Sequence, residues 1–218
     1  MNKRYVLWGG LVGVMLVVAL VMVRLADQET ENAVTAGNAT SEHADLLEPR
    51  EDDWIKGNPD ADVVVVKYSD FQCPACRFYA SMDDRLSRDL EEDVLFVYRH
   101  FPLQNFRYSM LASRFAEAAG KQGEFWRMHD LIYINQQRWA RSDDGADMFM
   151  QFAESLELDM DQFRDDLDDP EIRERIEAQY ESGQRLGVRS VPSLFINGEP
   201  IENPRSMEDY RSLIESYL

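Results

Sequence analysis

VVVVKYSDFQCPAC, residues 63–76, joins an unbroken β-branched run to two cysteines separated by two residues. A run such as Val63-Val64-Val65-Val66 suits a strand buried on both faces of a central sheet. Pro74 suits the first turn of a helix, where its missing N–H is no loss, so Cys73 falls at the helix N-terminal end. The unpaired amides and the dipole there favour a thiolate and lower the Cys73 pKa below the free value of about 8.5. Cys73 is therefore read as the nucleophile. Cys76, one turn on and more buried, is read as the resolving thiol that attacks a mixed disulfide.

Outward from this stretch, Val94-Leu95-Phe96-Val97-Tyr98 is a second apolar run, with the helix-length segment Pro74 to Leu90 between the two. Strand, helix, strand at this spacing predicts a βαβ unit. From Ser109 to Leu186 the apolar residues recur at spacings of three and four, as in Leu111, Phe115 and Ala118, and then Ile172, Ile176 and Tyr180. Gly120, Gly123, Gly145 and Gly187 read as helix stops. The sheet resumes at Ser193-Leu194-Phe195-Ile196. Asn197-Gly198 is a preferred two-residue hairpin turn, and Glu199-Pro200-Ile201 is a short return strand placed at an edge by its proline. A helix over 206–217 closes the chain. The expected fold class is α/β, with a helical insertion at about 106–187 between a βαβ half and a ββα half.

Tyr5 to Val23 is a run of 19 residues without a charge, close to the about 20 that a helix needs to cross a bilayer. Lys3 and Arg4 precede it, whereas Asp27, Glu29 and Glu31 follow soon after Arg24, so the positive-inside bias keeps the N-terminus cytoplasmic. A cleaved signal peptide is the competing reading; the length of the run and the poor Arg24-Leu25-Ala26 cleavage context favour an anchor over residues 1–25. Residues 26–53 are polar and acidic and read as a flexible tether, with the folded domain at 54–218. The expected place is the cell membrane: a single pass with the C-terminal domain outside the cytoplasm. A net charge of −18 disfavours nucleic acid as a partner. It also predicts little affinity for anionic headgroups, so attachment rests on residues 5–23.

An exported domain permits a persistent disulfide, but a bridge across two residues restrains the unfolded chain little, so the pair is better explained by redox cycling. No cofactor beyond the Cys73–Cys76 disulfide is expected. A zinc site of Cys73, Cys76, His100 and His129 departs far from usual ligand spacing, and no metal is expected. His100 reads as a strand-end residue and His129 as a helix-surface residue. Val191-Pro192 precedes the third apolar strand. Pro192 is either that strand's first residue or a cis proline, whose loop would face Cys73 and offer Val191 backbone groups to an extended peptide.

Cys73-Pro74-Ala75-Cys76 after a strand, Val191-Pro192-Ser193 before a strand and hairpin, and helices inserted between them resemble the DsbA-like thioredoxin-fold oxidoreductases. The resemblance is nearest to the membrane-anchored, BdbD-type branch. Ser69 to Cys73, Tyr98 to Leu103, and Glu124-Phe125-Trp126 through Asn135-Gln136 share the likeness, which covers about Trp54 to Leu218. It implies oxidation of cysteine pairs in exported proteins, a cis Pro192 with Val191 helping to bind substrate, and reoxidation by a quinone-linked membrane partner.

Two positions depart from the pattern. Pro74-Ala75 stands where strongly oxidising relatives have Pro-His, so one source of thiolate stabilisation is absent. Potentials in this fold run from about −270 mV for thioredoxin to about −120 mV for DsbA, which leaves a dithiol oxidase and a disulfide reductase or isomerase both open. A non-catalytic binding module would not need both thiols. Lys67 stands six residues before Cys73, where relatives carry a buried acid. It either points beneath the motif and supports the Cys73 thiolate by charge or snorkels to solvent.

Overall fold

The computed structural model of the chain describes residues 43–218. The apolar run at residues 5–23 and the tether up to residue 42 lie outside the described residues. Among the described residues no helix is long and apolar enough to cross a membrane. The compact unit described below begins at Leu46 and runs to Leu218.

Five strands form one mixed sheet: β1 (Trp54–Gly57), β2 (Val63–Ser69), β3 (Val94–His100), β4 (Ser193–Ile196) and β5 (Glu199–Ile201), in the order β1-β3-β2-β4-β5. β2 and β3 run parallel in register from Val63 opposite Val94 to Ser69 opposite His100. Between them α1 (Pro74–Asp89) makes the βαβ crossover expected from the spacing. β1 pairs antiparallel with β3, and β4 pairs antiparallel with β2. The expected hairpin joins β4 to β5: Asn197 and Gly198 take φ of 48° and 82°, the paired left-handed geometry that a tight two-residue turn requires.

The continuous β-branched runs are buried because both sheet faces are covered. On one face Val63, Val65 and Phe96 meet Met82 and Leu86 of α1 and Tyr210 and Ile214 of α8 (Met207–Glu215). Val66, Tyr68 and Val97 point the other way, to Phe101, Val188 and Phe195. The alternation follows directly from the two-residue side-chain period of a strand.

The insertion contains α2 (Ser109–Gly120), α3 (Phe125–Ile134), α4 (Gln136–Trp139), α5 (Gly145–Ser155), α6 (Met160–Leu167) and α7 (Pro170–Arg185), within the expected 106–187. Its core is a separate cluster centred on Phe115, Phe125, Met128, Trp139, Phe149 and Phe163. Asp159 and Asp169 cap α6 and α7 by accepting from first-turn amides, which supplies acceptors to donors without helical partners. Gly145 begins α5 rather than stopping a helix. A Cβ there would lie 2.8 Å from the Tyr108 ring, so the residue is small because an aromatic ring lies against it.

One expectation about the edge of the domain is corrected. The folded part does not start at Trp54: Leu46 and Leu47 are buried, and the carbonyls of Leu46 and Glu48 accept from the buried Arg99 guanidinium. Arg99 also holds Asp53 through Nε–Oδ1 at 2.9 Å and Nη2–Oδ2 at 2.7 Å, so residues 46–53 belong to the fold rather than to a tether. β1 was not legible as a strand. Its Trp54 earns its place through tertiary contacts: the ring stacks 4.2 Å from Phe125, and Nε1 donates to Glu117 at 2.8 Å.

Candidate active site

Cys73 is the N-cap residue of α1, extended at φ −73° and ψ 121°, with Pro74 in the first turn. Cys73 and Cys76 are both free thiols; Cys76 is wholly buried and Cys73 keeps 8% of its surface exposed. A hydrogen bond from Cys76, joined by the amides of Cys76 and Ala75, lowers the Cys73 pKa to about 7, against burial and the Asp70 charge. Burial and the neighbouring Cys73 push Cys76 well above the usual thiol range. One thiol is thus ionised near neutrality and the other holds its proton, the division of roles expected of a nucleophile and a resolving thiol.

The loop carrying Cys73 is pinned from several elements. Asp70 Oδ1 accepts from the Gln72 amide at 2.6 Å and from Ser109 Oγ at 2.7 Å, and its Oδ2 accepts from the Leu103 amide at 2.6 Å. Burial nevertheless raises its pKa above the ordinary carboxyl value. Gln136 of α4, itself buried, donates from Nε2 to the carbonyls of Phe71 at 2.7 Å and Cys73 at 2.8 Å. Gln72 accepts from the Tyr108 amide at 2.7 Å. Tyr133 Oη lies 2.9 Å from Ser69 Oγ and donates to the Asp70 carbonyl at 3.2 Å. The insertion therefore supplies Ser109, Tyr133 and Gln136 as a buried frame for the cysteine loop. These residues were not singled out in the sequence as site residues; only the segment ending Asn135-Gln136 carried a family likeness.

Val191 and Pro192 come to the cysteines from the far half of the chain. The Val191–Pro192 peptide bond is cis, and the Cys73 thiol donates to the Val191 carbonyl at 3.4 Å. Asn203 Nδ2 holds the Pro192 carbonyl at 2.8 Å. Pro74 and Ala75 are exposed beside Cys73.

Of the two courses expected of Lys67, the one that leads to solvent is corrected. Its side chain is 5% exposed rather than snorkelling, and its ammonium is an ion pair with Asp83 of α1 and lies over the Tyr98 ring at 5.6 Å. Hydrogen bonds from Cys76 and Ala75 and the charge of Asp70 act on Cys73, while the Lys67 ammonium joins β2 to α1 through Asp83. His129 is likewise not on a helix surface. It is 2% exposed, among Phe71, Tyr98, Trp126 and Tyr133, with Nδ1 at 2.8 Å from Asp130. His100 Nε2 is taken by Glu117 at 2.9 Å. Among the described residues no group of three or more His, Cys, Asp or Glu is arranged to hold a metal ion.

The chain matches the thioredoxin family over residues 50–216. It is 34% identical over 178 residues to the Na(+)/H(+) antiporter NhaA 3 of Salinispora tropica, which is 79% of this chain and 26% of that protein. The chain thus spans about a quarter of the length of the curated relatives it matches. Among solved structures it is similar to alpha-DsbA1 from Wolbachia pipientis, with a TM-score of 0.70, 18% identity, and 80% of this chain and 95% of that one covered. It is also similar to a thioredoxin-like oxidoreductase from Silicibacter pomeroyi, with a TM-score of 0.66, 25% identity, and 79% and 95% covered. Oxidised BdbD from Bacillus subtilis gives a TM-score of 0.66 at 21% identity, with 75% and 91% covered.

Proposed function

We propose, from the premise that this chain belongs to the thioredoxin family, that it is an extracytoplasmic thiol–disulfide oxidoreductase acting on cysteine pairs of exported proteins. The observation that carries the reading is the pairing of a Cys73 thiol lowered to about 7, beside the Val191 carbonyl, with a buried Cys76 whose pKa is raised.

In the oxidising direction a substrate thiolate attacks Cys73 Sγ of the Cys73–Cys76 disulfide. Cys76 leaves and takes up a proton. The second substrate thiolate then attacks the substrate sulfur of the mixed disulfide and expels Cys73 as a thiolate, a good leaving group because of its lowered pKa. Two electrons pass from substrate to protein; Cys76 gains one proton, Cys73 is left as a thiolate, and the protons of the substrate thiols are lost to solvent when the attacking thiolates form. Pro74 and Ala75 shape the exposed turn, and Val191 and Pro192 offer backbone to an extended substrate. Reoxidation falls to a quinone-linked membrane partner, and residues 5–23 would anchor the domain on the outer side of the membrane. The antiport in the relatives' name is not carried over, since the chain spans 26% of that protein.

A disulfide reductase is the second reading, and a specific observation favours it. A Cys73 pKa of about 7 matches thioredoxin at about 7 rather than DsbA at about 3.5, so the thiolate adds less to the oxidising power of the disulfide. The test is the equilibrium potential of Cys73/Cys76 in the full chain against glutathione buffers. A value near about −120 mV supports the oxidase, and one near about −270 mV supports the reductase. Failure of the two cysteines to form a disulfide under oxidising buffers would sink both.

A further inference from the structure

Between α1 and the insertion runs an open groove of about 990 Å³, whose rim includes Gln72 and Pro74, the two chain neighbours of Cys73. It is lined by Phe78, which is 48% exposed, and Ile134, which is 75% exposed; with Leu218 they are the exposed large hydrophobic residues among the described ones. The groove also contains Arg77, Arg141, Asp84 and Asp130. Of its carboxylates, Asp84 pairs with Lys56 and Arg88, and Asp130 is hydrogen-bonded to His129 Nδ1 at 2.8 Å. Neither Arg77 nor Arg141 has a carboxylate partner among the described residues.

With 41 acidic and 23 basic residues, carboxylates are in excess, and Arg107, Arg114, Lys121, Arg164 and Arg173 each pair with one, whereas Arg77 and Arg141 stand together on this one groove without one. Two unpaired guanidinium groups and two uncovered apolar side chains beside the nucleophile form a surface complementary to a segment that is both acidic and apolar. A second copy of the chain fits poorly, since it brings a net charge of −18.

We propose that this groove seats the polypeptide segment flanking the substrate cysteine and selects segments in which an apolar residue and an acidic residue lie close to that cysteine. The inference rests on the reading of Cys73 as the nucleophile. Helix geometry sets the spacing: Phe78 is five residues along α1 from Cys73, a rise of about 7.5 Å, which an extended peptide covers in about two residues. The apolar side chain is therefore expected two residues from the cysteine, with the carboxylate next to it at Arg77 or Arg141.

The experiment uses the oxidised full chain and measures rates of thiol oxidation for short cysteine peptides. Leu-Glu, Leu-Lys and Gly-Glu are placed two and three residues from the cysteine, on its N-terminal side in one set and its C-terminal side in another. In one set the Glu-to-Lys rate ratio is expected to fall roughly five- to ten-fold in Arg77→Glu/Arg141→Glu, the scale of two exposed ion pairs. The Leu-to-Gly ratio is expected to fall in Ile134→Asp, a change at an exposed position. Ratios cancel any altered reactivity of Cys73. Unchanged ratios in both sets overturn the groove, as does a dimer of the chain that Ile134→Asp breaks. If the wild-type protein fails to exchange with glutathione, the assignment of Cys73 falls instead.

Discussion

The Cys73 thiol donates across 3.4 Å to the carbonyl oxygen of Val191, a residue 118 positions further along the chain. Under the proposed function a substrate chain reaching Cys73 meets this carbonyl beside the thiol, so a thiol and a backbone acceptor present one edge to it.

The ionisation of Cys73 sets a first expectation. In the reduced protein its alkylation by iodoacetamide should rise with pH through a midpoint of about 7, while Cys76 stays unreactive. Mapping the labelled residue by mass spectrometry across pH 5–10 checks both; a Cys73 midpoint near the free value of about 8.5 refutes the site as described. Because the folded pKa lies below the free value of about 8.5, the contribution of Cys73 to the reduced fold is present at high pH and is lost as pH falls through about 7.

Arg99 and Asp53 are a fully buried pair that joins residues 46–53 to β3. Asp53→Ala leaves a buried guanidinium without its carboxylate and should cost about 3–5 kcal/mol in urea unfolding. A chain shortened to begin at Trp54 should lose at least as much, since the Leu46 and Glu48 carbonyls go with it. Wild-type stability in the shortened chain would show that the segment is dispensable.

His129 provides a pH test. Burial, together with the charges of Lys67 and Lys56, outweighs Asp130 and lowers its pKa from 6.5 to about 4. Between these values the unfolded chain binds the proton and the folded chain does not, so stability should fall as pH drops from 6.5 toward 4. The loss is about 3 kcal/mol at 1.36 kcal/mol per unit. His129→Phe, set among aromatic rings, should remove that share of the slope in urea midpoints measured at pH 6.5 and 4.5. An unchanged slope would assign the acid sensitivity to other groups.

Lys67 and Asp83 form an ion pair with side chains 5% and 13% exposed. Lys67→Met should destabilise by about 3 kcal/mol, because Asp83 keeps a buried charge, and Lys67→Met/Asp83→Leu should recover most of it. Because the ammonium is committed to Asp83, the Cys73 alkylation midpoint should stay near 7 in the double variant. A rise of a full unit would restore Lys67 to a role at the thiolate.

Much of the molecule was legible because it depends on local spacing. The β-branched run, the proline after Cys73, the three- and four-residue periodicity of the insertion and the Asn197-Gly198 turn each report a short-range steric or hydrogen-bonding preference. Together they determined the βαβ unit, the helical insertion, the final hairpin and the position of Cys73 at a helix start. The tertiary structure decided which distant groups meet. Gln136 reaches the Cys73 carbonyl from 63 residues away and Val191 reaches its thiol from 118, while Lys67 turns to Asp83 and His129 enters an aromatic cluster. A side chain's type fixes what it can bond, but the low dielectric of the interior penalises any polar group left unpaired, so its actual partner is chosen by the packing that buries both.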